Sequence, residues 1–583
     1  MRVALANSLD VGRDLSKSYD RVYVLNETFS DFENLISIPA ALDGFDTQSR
    51  DAFLQFLGEN VDLDWVDKQF QSAIRGLGTD FSELVTSLEM NLYADYPEVW
   101  DIAKATWLST ELSGKHGILI DSYLSKTCHV DTILLKSLHR GALRSRTSWT
   151  ARNFSRVLRS MELIISLGKG QLWLFVLAAR SFVSPRFQSP SGSTNNLIMC
   201  PRITNVNKSD TGFGPYWRYI EAIRGHFSGQ LSPVYFSQGL FCDARGRFQR
   251  LQSRVGIGQS VFKVQVTLIK VLLKALKLEA RRSDSDMSLE RKLGALRPAF
   301  LRSIFGPSFV QSYWENLQFS TFFGHSKPKS VLFLCENQSW ERALVTQGRR
   351  QSPQTLFLGV AHNAIRPWDL RYFKPHEWVS GPTSGRKSSP DLFLATSKVC
   401  LGRLKSYYPS TDKFRLVETL RFAKPQKLAN LRKSEALVIA GSYSPIVNVQ
   451  LLKFVEESLT DARLTRKLRV RSHPLRAIKS SYPRFDSETE FPWLTICDST
   501  STISAELAEM EAPHFVARFG HLPNMSPLAD IRCFRSSFRL PGVQIEHLFD
   551  EASLVQTVNP GFEYYERDED YIHWQTLIKE IGL

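Results

Sequence analysis

FPWLTICDSTSTISAELAEM (Phe491–Met510) reads as a buried strand, a hydroxyl-rich turn and a helix in immediate succession. A turn of this kind supplies an N-cap, and it leaves backbone N–H groups aimed at whatever anion lies beyond the helix start. Upstream, KLRVRSHP (Lys467–Pro474) reads as a strand ending in a His-Pro corner. An imidazole with one protonated nitrogen donates to a phosphate oxygen. Taken together, the two strand ends predict a nucleotide-phosphate pocket. His473 and Pro474 come from one end, and Ser501, Thr502 and Ser504 from the other. Plain N-capping and a structural His-Pro corner are the other reading of the same residues, and the sequence leaves both open.

Around this unit the alternation continues. ALVIAGSYS (Ala436–Ser444) predicts the first strand of a C-terminal α/β half, followed by the helix NVQLLKFVEESLTDA; HFVARFG predicts another strand after the helix ISAELAEM. A preceding half opens with LIMCPRIT (Leu197–Thr204) and continues with SVLFLCEN (Ser330–Asn337), TLFLGVAHN (Thr355–Asn363) and DLFLATS (Asp391–Ser397), with helical stretches between. Strands that alternate with helices predict parallel, doubly wound sheets, whose ligands sit at the C-terminal strand ends. FVSPRFQSPSGSTNN (Phe182–Asn196) predicts a linker. Residues 1–185 show one strand-like run, RVYVLNE (Arg21–Glu27), and otherwise helical periodicity. The expected organisation is therefore an α/β chain with a mainly helical region (1–185), a first Rossmann-like half (196–415) and a second, nucleotide-binding half (430–583), the two halves facing a cleft.

With 583 residues, 43% hydrophobic and 11% aromatic, the chain is long enough for several packed cores. Its net charge of +14 favours anionic partners without choosing among them. The cations are dispersed and no binding-module motif occurs, so nucleic acid is not expected. Seven scattered cysteines without a C-x-x-C predict buried thiols in a reducing compartment. The longest apolar stretch, LWLFVLAA (Leu172–Ala179), is far shorter than the ~20 residues of a spanning helix. A cytoplasmic protein, peripheral at the inner face of the cell membrane, is expected.

The histidine-proline pair followed by a Ser/Thr-rich turn resembles the signature of bacterial GT-B glycosyltransferases that use CMP-activated acidic sugars, the sialyltransferases and Kdo-transferase-like enzymes. VLFLCENQSWERAL (Val331–Leu344), GVAHNAIRPWDLRYF (Gly359–Phe373) and PDLFLATS also resemble a related group of surface-carbohydrate biosynthesis proteins. The resemblance covers residues 196–560. It implies a GT-B fold and a CMP-sugar donor, with no cofactor and with a glycan or lipid-linked acceptor. It also implies that His473, Ser501, Thr502, Ser504 and Glu506 lie at the nucleotide, with Ser442 of GSYSP in the first nucleotide-side loop.

On the acceptor side, Glu336 and Glu341 are the candidate catalytic carboxylates, as general base or nucleophile. Arg342, His362, Asn363 and Arg366 are candidates for holding an anionic sugar. Gly212 and Gly214 of DTGFGPYWR permit close backbone approach to the acceptor. A helix-dipole role for Glu341 and a self-bonded 362–369 loop are the structural alternatives. The D-x-D sequences at 62–64 and 284–286 do not follow buried strands, so no metal is expected. In FKVQVTLIKVLLKALKLEARR (Phe262–Arg282) four lysines fall on one helical arc, which suits contact with an anionic membrane surface as well as a solvated core helix. Two other functions fit the fold. One is a non-catalytic assembly protein. The other is a nucleotide-sugar epimerase, which needs a diphosphate site with further basic residues that the sequence does not supply.

Overall fold

The computed structural model describes residues 3–6, 17, 21–24, 35–37, 118–120, 149–186, 196–201, 213, 215–237, 240–242, 247–249, 251, 254–280, 306–336, 338–367, 369, 372, 389–408, 412–422, 432–442, 444–459, 462–473, 478–485, 490–517, 526–528 and 562–583. Near the N-terminus β1 (Val3–Ala6), β2 (Arg21–Val24), β3 (Leu35–Ser37) and β4 (Ile118–Ile120) form a parallel sheet in the order β3-β2-β1-β4. Among the described residues of this region there are thus four short strands where the sequence shows one strand-like run, and the helical periodicity expected between 38 and 117 lies outside the described residues. Strands of three or four residues are too short to show an alternation, and only RVYV stands out in the sequence. Helix α1 (Trp149–Val183) follows; it takes in the first two residues of the expected linker Phe182–Asn196, the next strand takes in the last, and residues 187–195 lie outside the described residues.

The main sheet begins with β5 (Asn196–Pro201), β6 (Leu231–Ser237), β7 (Leu240–Cys242) and β8 (Phe248–Gln249). After α2 (Arg254–Ala280) and α3 (Pro307–His325) come β9 (Ser330–Leu334), α4 (Ser339–Gln351), β10 (Leu356–Ala361), β11 (Leu392–Ala395), α5 (Lys398–Tyr407) and β12 (Phe414–Leu416). The order is β12-β11-β10-β9-β5-β6-β7-β8, parallel except for the β7 and β8 edge. Period-two alternation sends Val331 and Phe333 to one face and Leu332 and Leu334 to the other, and both faces are buried. Phe319, Phe322 and Phe323 of α3 and Leu344 of α4 cover the first face. The chain turns direction between β5 and β9, so a crevice opens at their C-terminal ends.

A second parallel sheet follows the short strand β13 (Arg432–Lys433). It is built from β14 (Leu437–Ala440), α6 (Pro445–Ser458), α7 (Ala462–Lys467) and β15 (Leu468–Arg471). Beyond β16 (Glu490–Phe491), which pairs with β13, come β17 (Leu494–Asp498), α8 (Ile503–Glu509) and β18 (His514–Ala517). The order β15-β14-β17-β18 puts the change of direction between β14 and β17. Leu437, Ile439, Leu468, Val470 and Ile496 pack under Leu451 and Val455 of α6.

The expected second half, 430–583, gives up its last stretch. Residues 562–583 return to the main sheet, where α9 (Ile572–Glu580) buries Trp574, Leu577 and Ile578 against Ile220 and Leu420. The buried Glu418 carboxylate accepts the His573 and Trp574 N–H groups, neutralising the helix start. A polar sequence such as ERDEDY gives no hint of this return, because the packing partners lie far away in the chain.

Candidate functional site

Glu336 follows β9 at the edge of the main-sheet crevice, and its placement is set by a capping box. Gln338 is the N-cap of α4, and Glu341 at the third helical position accepts from the Gln338 N–H at 3.2 Å and from the Glu336 N–H at 3.0 and 2.9 Å. Glu341 is 2% exposed, and both of its oxygens serve backbone donors. It therefore shapes the loop that presents Glu336. Arg342 is buried in the same turn.

The Glu336 carboxylate itself is oriented by side chains. Gln338 Nε2 donates to Oε2 at 2.6 Å, Asn363 Nδ2 donates to Oε1, and His362 Nε2 lies 3.4 Å from Oε1. His362 and Asn363 follow β10, the neighbouring strand, so adjacent parallel strand ends bring the three together. Tyr216 sets its ring edge-on to His362 with centroids 4.6 Å apart.

Arg421, which no motif singles out, extends this group. Its guanidinium donates to Asn363 Oδ1 and lies 5.1 Å from the Tyr216 ring centroid and 4.7 Å from that of Phe422. It also acts electrostatically on His473 and Glu506 of the second sheet and on Tyr565 of the return segment. Burial and the Arg421 charge push the His473 imidazole below its ordinary range, against an opposing pull from Asp498. This environment favours the neutral imidazole, which holds a single ring N–H. Burial raises the Glu506 carboxyl, while Arg421 and Arg471 draw it back down.

On the second sheet, β14 lies between β15 and β17, so His473 and Asp498 stand at strand ends two positions apart with Gly441 between them. Asp498 folds the hydroxyl-rich turn. Its Oδ1 accepts from the Thr500 N–H at 2.7 Å and from the Thr500 hydroxyl, while its buried Oδ2 has no hydrogen-bond partner among the described residues. Ser501 Oγ accepts from the Ile503 N–H at 3.4 Å. Ser504 is fully buried and donates to the Ser501 carbonyl at 3.2 Å, so its hydroxyl closes the turn. Thr502, the N-cap of α8, makes no side-chain cap bond. Ser442 is buried; its backbone N–H donates to Asn448 Oδ1 at 2.7 Å, and its hydroxyl accepts from the Ser444 N–H at 3.3 Å.

The two strand-end clusters meet. Arg366, from the loop after β10, donates through Nη2 to the Thr500 carbonyl of the hydroxyl turn, and its Nε–H is buried without a partner among the described residues. Arg403 ties the same loop to the return segment and to residues 526–528 through Ile365 O, Tyr564 Oη and Pro527 O. The arrangement holds a carboxylate (Glu336), an imidazole (His473) and two guanidinium groups (Arg366 and Arg421) around adjoining strand ends. Chemically, a set of this kind can bind an anion and accept a proton from a nearby hydroxyl. Pro474, Gly212, Gly214 and both D-x-D sequences lie outside the described residues. Among the described residues, no His/Cys/Asp/Glu cluster has the spacing to hold a metal ion.

No family model matches the chain, and no curated protein does. Among solved structures, a spinosyn rhamnosyltransferase complexed with thymidine diphosphate aligns with 67% of this chain and 96% of its own, at 11% identity and a TM-score of 0.30. At that score the likeness does not define the fold, which rests on the sheet topology itself.

Proposed function

We propose that the chain is a GT-B-like glycosyltransferase that moves a CMP-activated 3-deoxy-2-ulosonic sugar onto a cell-surface polysaccharide or glycolipid acceptor. The observation that carries this reading is the contact between C-terminal strand ends of two parallel sheets, where Arg366 from one grips the Thr500 carbonyl of the other. Parallel sheets bind their ligands at such ends. In this reading the cytidylate phosphate lies between His473 and Arg421, with the Ser501–Thr502 turn beside it.

An acceptor hydroxyl attacks the anomeric carbon as the bond from that carbon to the phosphate oxygen breaks. The bonding pair leaves with CMP, whose growing charge meets the Arg421 guanidinium and the His473 N–H. Glu336, held by Asn363 and Gln338, takes the acceptor proton. Glu341 keeps Glu336 in position. A monophosphate leaving group carries less charge than a diphosphate, so two guanidinium groups and an imidazole suit it without a metal.

Titration calorimetry of CMP against UDP tests the donor: CMP binds more tightly, and a preference for UDP would sink the CMP assignment. In Glu336→Gln, release of CMP from a CMP-sugar in the presence of acceptor falls by about a hundredfold or more, with CMP affinity kept. Unchanged turnover would remove Glu336 from the chemistry.

A further inference from the structure

The outer face of α1 carries an apolar stripe that the transfer chemistry does not use. Ile164, Ile165, Leu172, Phe175, Phe182 and Val183 are between 47% and 80% exposed. At 100° per residue they fall within an arc of about 100° along a length of about 29 Å. Scattered exposed apolar residues are ordinary, but six on one helix face make a contiguous patch. The opposite face of α1 is accounted for, since Leu174 and Leu177 pack with Ile257, Val264 and Leu268 of α2. Helix α2 adds exposed Phe262 and Ile269 beside exposed Lys263.

The charge along this stripe is predominantly positive. From residue 164 to 186 there is no Asp or Glu, while Lys169, Arg180 and Arg186 are present. Between Arg254 and Lys277 of α2 there is likewise no acid. No described helix is long and apolar enough to cross a membrane. Glu162 lies just before the stripe, and the charged residues along it, Lys169, Arg180 and Arg186, are all cations. A one-faced apolar stripe with that flank is complementary to the boundary between acyl chains and anionic headgroups. A second copy docked on the same stripe would bring like charges together.

We propose that α1, flanked by α2, lies in the plane of an anionic bilayer surface, with Leu172 and Phe175 at the centre of the inserted stripe. This holds whether or not the chain transfers a sugar. The test is flotation of the full chain with vesicles of phosphatidylcholine and phosphatidylglycerol in equal parts, against vesicles of phosphatidylcholine alone. The protein floats with the mixed vesicles. Leu172→Glu or Phe175→Glu lowers the bound fraction about tenfold or more, and because both side chains are exposed, the melting temperature is unchanged. On the wild-type chain, vesicles protect the peptide 164–183 from hydrogen exchange. Absence of flotation, equal binding to neutral vesicles, undiminished binding of both variants, or protection confined to other peptides overturns the proposal. So does concentration-dependent dimerisation abolished by the same substitutions without any vesicle binding.

Discussion

A methyl group added at Gly441 would lie 2.7 Å from Ile478 Cδ1 and 3.2 Å from the His473 backbone nitrogen. The Ile478 methyl ends a side chain that can rotate, but its Cγ1 also lies at 2.8 Å, and the His473 nitrogen is backbone just beyond β15. Gly441→Ala therefore displaces the His-Pro corner. We expect a loss of about 1–3 kcal/mol in urea unfolding together with weaker CMP binding; unaltered affinity would detach the corner from the nucleotide. At this scale the sequence is only partly readable. Glu336 shows itself as a carboxylate at the end of a buried run. Arg421 does not, since RFAKPQK has no motif and its partners, Tyr216, Asn363, His473 and Glu506, are scattered over nearly three hundred residues. Asp498 stands at the head of the hydroxyl-rich turn without being singled out by the sequence, because its use in folding that turn depends on geometry that composition does not carry.

Among the elements, α3 holds an unusual group. Burial pushes the Glu315 carboxyl up to about 8, partly offset by a hydrogen bond from Gln311. A carboxyl whose folded pKa lies above its unfolded value binds a proton in the native state that the unfolded chain has released. Its contribution is therefore favourable below the unfolded value near 4.5 and is lost as pH rises toward 8. Glu315→Gln, which mimics the protonated form, should flatten the decline in melting temperature between pH 5 and 8 and stabilise the protein at pH 8 by on the order of a few kcal/mol. An unchanged profile would mean that the native carboxyl titrates normally.

The strands around this helix were the most legible part of the fold, because VLFLC, LFLGVA and LFLA are continuous apolar runs buried on both faces. The β7 and β8 edge was not, since two- and three-residue strands have no period to detect. The basic helix illustrates the limit of a pattern: its apolar arc does pack inward through Val264 and Leu268, yet Phe262 and Ile269 stay outside.

At the scale of the whole molecule, the return of residues 562–583 couples the second sheet to the first. Glu509 of α8 accepts from the Tyr564 and Tyr565 N–H groups, each at 2.7 Å, and forms a two-pronged ion pair with Arg567 at 2.8 and 2.7 Å. Its side chain is 1% exposed, so removing it strands a nearly buried guanidinium and two backbone donors. Glu509→Ala should cost about 3–5 kcal/mol. It should also loosen the α8 turn, seen as faster hydrogen exchange in 498–510; a loss under about 1 kcal/mol would mean that water replaces the carboxylate. None of this was readable in advance, because the pairing joins a helix to a polar tail through side chains that look solvent-facing in the linear string.

That tail also has a consequence for biosynthesis. Trp574, Leu577 and Ile578 cover a face of a sheet whose last strand, β12, leaves the ribosome roughly 150 residues earlier. Throughout that interval Leu332, Leu358 and Leu420 lack the part of their cover that Trp574, Leu577 and Ile578 supply, and the nascent chain presents that much more apolar surface to its surroundings. Translation rate and chaperone access during this window, rather than the final energy balance, then govern how much of the polypeptide escapes precipitation.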